Sequence, residues 1–209
     1  MRIVIFGLTI SSSSGNGHAV LWRGLCHALI CAGHRVVFYE RDVPWYAAKR
    51  ECPDLPGGEL RLYGGWSGAM LSAQGELADA DAAIVTPCCP DALPARAAIL
   101  DAGRPLAVFY DLDAPVTLDA LAHGERVAWI DGKRLRDYDL VLSCTGGPAL
   151  QQLSAALGAR RVRALDQQTS AQRAQQLIAF LEQARAPGVE RASTSLAAAP
   201  ICGFDPCRA

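Results

Sequence analysis

Several stretches of this chain are nearly continuous in apolar residues, and between them the apolar positions recur at helical spacing. Arg2–Gly7 (RIVIFG) and Arg35–Glu40 (RVVFYE) have the uninterrupted character of parallel strands covered on both faces. Asp81–Thr86, Pro105–Tyr110 and Tyr138–Cys144 are further strands, and Glu59–Tyr63 and Arg160–Leu165, both interrupted by charged residues, are the remaining strand candidates. Between the first two, Leu21, Trp22, Leu25, Ala28 and Leu29 share one face of a helix over His18–Ala32, which Gly33 stops. Further helices are predicted over Met70–Ala78, Asp91–Ala102 and Gly147–Leu157. Thr169–Arg185 is amphipathic, with Ala174, Leu177, Ile178 and Leu181 as its stripe and a hydroxyl cap at its start.

Strands alternating with helices through short links predict an α/β fold: a Rossmann-like open parallel sheet with helices on both faces. Three segments are expected. Residues 1–165 form the sheet domain, 166–186 a C-terminal amphipathic helix, and 187–209, rich in Ala, Ser, Thr and Pro, a disordered tail. No internal repeat is visible.

Composition narrows the class. Half of the 209 residues are apolar, and 20 basic against 21 acidic side chains leave a net charge of −1. Neither nucleic acid nor an anionic membrane is indicated by that balance. No apolar run approaches the ~20 residues of a membrane span, and no cleavage site of signal-peptide type follows the first strand. The eight cysteines form no C-x-x-C pair, and their scatter is that of free thiols in a reduced, cytoplasmic protein.

Ligands of open α/β sheets bind beyond the carboxyl ends of the strands, and four such ends carry unusual residues. The first is the loop SSSSGNGH. Its glycines permit tight turns, the helix start that follows offers N–H groups, and His18 stands at the helix mouth with the chemistry of a general base. The second is ERDVPWY (Glu40–Tyr46), charged groups followed by two aromatics, suited to a polar ring. The third is YDLDAP, with Asp111 and Asp113 placed to bind hydroxyls or raise one another's pKa. No metal-ligand set completes that pair. The fourth is CTGGP, where Gly146 and Gly147 lead into a helix.

Each also has a purely structural reading as a cap, an ion pair or a tight turn. An NAD(P)-binding oxidoreductase is a rival, because Glu40 or Asp42 stands where a dinucleotide fold keeps its ribose acid. The first loop, however, lacks the G-x-G-x-x-G spacing, and no P-loop lysine is present.

Together, FGLTISSSSGNGHAVLWRGLCHAL, GHRVVFYERDVPWYA, FYDLDAPVTLDAL and YDLVLSCTGGPAL resemble the N-terminal half of CgeB-like (spore-maturation-type) glycosyltransferases, over residues 1–165. The resemblance implies a GT-B architecture of two Rossmann-like domains around a cleft. Its N-terminal domain holds a small-molecule or glycan acceptor, and a nucleotide-sugar donor is gripped by the second. Neither metal nor separate cofactor is implied.

On this chain the resemblance makes His18 a candidate catalytic base. Ser14, Gly15, Asn16, Gly17, Arg41, Asp42, Asp111, Asp113, Gly146 and Gly147 would be the acceptor wall, with the first loop flexible enough to fit a substrate. After Leu165 one convincing helix remains, itself similar to the closing helix of such enzymes. The chain therefore reads as an acceptor domain joined to that helix with the donor domain missing, which puts transfer by this chain alone in question. A binding domain without turnover is the third reading. The face left without its partner would favour self-association.

Overall fold

The computed structural model describes residues 1–130, 135–159, 161–165 and 168–186. The expected disordered tail, 187–209, lies outside these residues. All seven expected segments become strands: β1 (Arg2–Gly7), β2 (Arg35–Arg41), β3 (Glu59–Tyr63), β4 (Ala82–Val85), β5 (Leu106–Asp111), β6 (Leu140–Ser143) and β7 (Val162–Ala164). They form one all-parallel sheet in the order β3-β2-β1-β4-β5-β6-β7. The fold is α/β and Rossmann-like, as the alternation predicts.

Because successive side chains of a strand point to opposite faces, the buried runs supply two separate cores. Ile3, Ile5, Phe38, Ile84, Val108 and Leu142 face one way. They pack against α1 (Gly17–Cys31) and α7 (Ser170–Arg185). There Trp22 meets Phe38 and Tyr110 edge-on, with ring centroids 5.4 and 5.7 Å away. Val4, Phe6, Tyr39, Val85, Phe109 and Val141 face the other way, under α3 (Trp66–Asp79), α4 (Ala92–Ala102), α5 (Ala114–Ala122) and α6 (Gly147–Leu157).

Two helices, α5 and the single turn α2 (Pro44–Ala47), were not expected from the pattern. Both carry proline in the first turn, which is compatible with a helix start yet reads locally as a loop. The helix expected from Met70 begins at Trp66, because its first turn absorbs Gly68. Elsewhere the expected boundaries hold within one to two residues. Gly103 closes α4 in the left-handed conformation, φ 61°, that glycine adopts without steric cost.

The last helix is part of the main body. α7 buries Ala174, Leu177 and Leu181 in the same core as α1, and Arg185 pairs with Asp81 at the foot of the sheet. The two helices approach closely at Gly24, where an added Cβ would fall 2.3 Å from Ser170 Oγ and 3.2 Å from Ser170 Cβ. No helix among the described residues is long and apolar enough to cross a membrane.

Candidate functional site

The strand order reverses between β1 and β4, the place where open α/β sheets leave a crevice for ligands. A cleft of about 420 Å³ lies there. Leu8 and Thr9 after β1, Asn16, Gly17 and His18 at the mouth of α1, Tyr46 of α2, and Cys88 after β4 form its walls. Its volume suits a small molecule.

The serine-rich loop is anchored in place. Glu40, fully buried at the end of β2, accepts hydrogen bonds from Ser11 N (3.0 Å) and Ser11 Oγ (2.6 Å). Burial raises the Glu40 carboxyl above its ordinary pKa, and the two Ser11 bonds pull it back. Arg23 of α1 donates to the carbonyls of Ile10 and Ser12. Ser14 donates through N and Oγ to Glu51, whose carboxyl those bonds hold below its usual range. Ser11 O in turn accepts from Glu51 N and Cys52 N. The expectation of a loop flexible enough to mould to a substrate therefore meets a segment held at both ends of its serine run.

Within this frame Asn16 caps α1, its side chain accepting from His18 N and Ala19 N at 3.0 and 3.2 Å. The cap fixes His18 in the first turn, with its ring toward the end of β5. There His18 Nε2 lies 3.2 Å from Asp113 Oδ1, with both side chains about 30% exposed. Nε2–H donating to the carboxylate fixes the tautomer of the neutral ring and leaves the basic lone pair on Nδ1. Gly15 and Gly17 do not take positive φ, and a Cβ at either would meet no close contact.

The two aspartates of YDLDAP have different parts. Asp113 partners His18, whereas Asp111 is fully buried and accepts the backbone N–H of Asp113 at 2.9 Å. Burial pushes the Asp111 carboxyl up to about 6. The Asp113 N–H opposes that rise, and the nearby Asp113 charge adds to it. Asp111 thus shapes the turn that presents Asp113.

Other expected wall residues are spoken for or stand apart. Arg41 Nη1 lies 3.0 and 3.1 Å from the two oxygens of Asp91, tying the end of β2 to the start of α4. Asp42 pairs with Arg50 at 2.6 Å. Gly146 precedes α6 and Gly147 opens it with φ 67°, at the end of β6; neither lines the cleft. Of the aromatics after β2, Tyr46 faces the cleft, while Trp45 is two-thirds exposed with Lys49 Nζ 3.9 Å from its ring centroid.

Three residues escaped the sequence reading: Thr9, Cys88 and Glu51. Thr9 and Cys88 carried a legible signal, since each lies just past the carboxyl end of a strand flanking the switch point. Glu51 carried none, because only the folded chain brings it to Ser14. Among the described residues no group of three or more His, Cys, Asp and Glu side chains is placed to hold a metal ion.

Compared with protein-family models, curated proteins and solved structures, the chain matches none.

Proposed function

We propose that this sheet edge is the acceptor-side wall of a glycosyl-transfer site. His18 takes the proton of an acceptor hydroxyl as that oxygen attacks the anomeric carbon of a nucleotide sugar. The new C–O bond forms as the bond to the diphosphate breaks, and the nucleoside diphosphate leaves with the electron pair. The observation that carries this reading is the His18–Asp113 pair beside the cleft at the switch point. A carboxylate on Nε2 steadies the imidazolium that forms when Nδ1 takes a proton.

The exposed apolar residues support a second body over this edge. Val20, Trp45, Leu93 and Val116 are four of the six large hydrophobics exposed among the described residues. Each sits at the start of a helix that follows a strand end: α1, α2, α4 and α5. Apolar residues gathered along one edge are the mark of an interaction surface. In a two-domain transferase this edge meets the donor side.

The oxidoreductase reading loses its main support. Glu40, the acid expected to meet a ribose, is turned inward onto Ser11, and Asp42 is paired with Arg50. Transfer is tested by following release of nucleoside diphosphate from a panel of nucleotide sugars and saccharide acceptors, with His18→Ala alongside the native chain. Release that falls roughly 10²–10⁴-fold in the variant is the expected result. Equal release by both proteins removes His18 from the chemistry, and saccharide binding without any release reduces the site to a binding module.

A further inference from the structure

His27 and Cys31 stand in the last two turns of α1, about 14 and 20 Å along the helix from His18 and so outside the transfer site. Both are exposed. Residues four apart share one face of a helix, and here the shared face brings a sulfur to an imidazole. Cys31 Sγ lies 3.5 Å from His27 Nε2 and 4.0 Å from Nδ1, so Nε2 is the ring atom it meets. The packing of α1 does not call for either side chain, because the helix is held by Ala19, Trp22, Leu25, Cys26 and Leu29 on its buried face.

That separation has a chemical meaning. Zinc bonds thiolate sulfur at about 2.3 Å and imidazole nitrogen at about 2.0–2.1 Å, and a tetrahedral angle between those bonds sets the two ligand atoms about 3.5 Å apart. A turn of the exposed imidazole then brings the ion onto the Nε2 lone pair with no change in the backbone. The end of the helix supplies a second, independent pointer to a cation. No basic side chain stands in the last turn of α1, so the negative end of the helix dipole is unopposed there. The same field disfavours a bare thiolate, and a bound metal ion offsets that cost.

We propose that His27 and Cys31 form a surface site for a thiophilic divalent cation of the zinc type. The hydrated ion exchanges two waters for Cys31 Sγ and His27 Nε2. The thiol releases its proton to solvent as the metal–sulfur bond forms, and the imidazole binds as the neutral ring with its proton on Nδ1. Two protein ligands are fewer than the four of a closed structural site, so water holds the remaining positions and the ion exchanges with solvent. Soft sulfur with imidazole selects zinc over magnesium, which takes oxygen ligands. This binding is independent of sugar transfer and stands whether or not that reading holds.

The test alkylates the full chain with iodoacetamide at neutral pH, alone, with zinc chloride and with magnesium chloride. Mass spectrometry follows the rate at Cys31 itself, which separates this site from the other cysteines. Zinc should slow alkylation of Cys31 roughly tenfold, as about nine-tenths occupancy of its sulfur requires. Magnesium should leave the rate unchanged, and the zinc effect should be lost in His27→Ala. That substitution places a strong helix former at an exposed position, so the fold is retained. A Cys31 rate indifferent to zinc reduces the pair to a thiol–imidazole contact and overturns the proposal. Equal protection by magnesium, or zinc protection that persists in His27→Ala, overturns it as well.

Discussion

Asp111 shows what a single residue contributes when its neighbours decide its charge. Its carboxyl, fully buried, is pushed up to about 6 from the 3.8 of a free aspartate. Between those values the folded protein keeps a proton that the unfolded chain has released. The Asp111 contribution to stability is therefore greatest below pH 4, falls as pH rises toward 6, and stays at the lower level above. The full difference is on the order of 3 kcal/mol. Asp111→Asn keeps an acceptor for Asp113 N–H and removes the buried charge. Thermal melts should show it raising the midpoint at about pH 7.5 and raising it roughly a third as much at about pH 4.5. An equal shift at both pH values would mean that Asp111 is not the titrating group. The sequence placed Asp111 and Asp113 as equals two positions apart. Alternation along β5 ends between them, so nothing local tells which carboxylate turns inward and which reaches His18.

At the scale of elements, the strands were the most legible part, because a strand covered on both faces must be apolar throughout, as Ile3–Phe6 and Leu106–Tyr110 are. The helices α2 and α5 were not, since each opens on proline and is short, four and nine residues, too few turns for a helical period to show. The first loop was legible as a candidate site and illegible as a structure. Its anchors lie 29 residues away in Glu40 and 37 away in Glu51, and only the parallel pairing of β1 with β2 brings Glu40 beneath it.

That anchoring makes a quantitative expectation. Glu40→Ala leaves the buried Ser11 N–H and Oγ–H without their acceptor, at about 1–3 kcal/mol for each buried donor stranded. Denaturant unfolding should show a loss of roughly 2–6 kcal/mol for the two donors together, and hydrogen exchange should speed up at residues 8–16 ahead of the strands. Unchanged exchange in the loop would show that Arg23 and Glu51 suffice to hold it.

For the whole molecule, the parallel sheet with one switch point gathers His18, Asp113, Thr9, Tyr46 and Cys88 at its carboxyl edge from segments scattered between residues 9 and 113. The same edge carries Val20, Trp45, Leu93 and Val116, which should make the chain associate with itself when no partner covers them. Light scattering should show mass rising with concentration, and Trp45→Glu with Val116→Glu should return it to a monomer. A monomer at every concentration in the native chain would count against an interaction edge.

The central claim is that this edge recognises a sugar acceptor or its nucleotide-sugar donor. Its most direct test is a thermal-shift panel of nucleotide sugars, nucleoside diphosphates, saccharides and NAD(P)(H). A ligand present at 100 times its dissociation constant stabilises by about 2.7 kcal/mol, enough to move the midpoint of a chain this long by several degrees. The expected result is such a rise with a saccharide or a nucleotide sugar, reduced in His18→Ala. A rise with NAD(P)(H) alone, or no response to any sugar-bearing ligand, would contradict it.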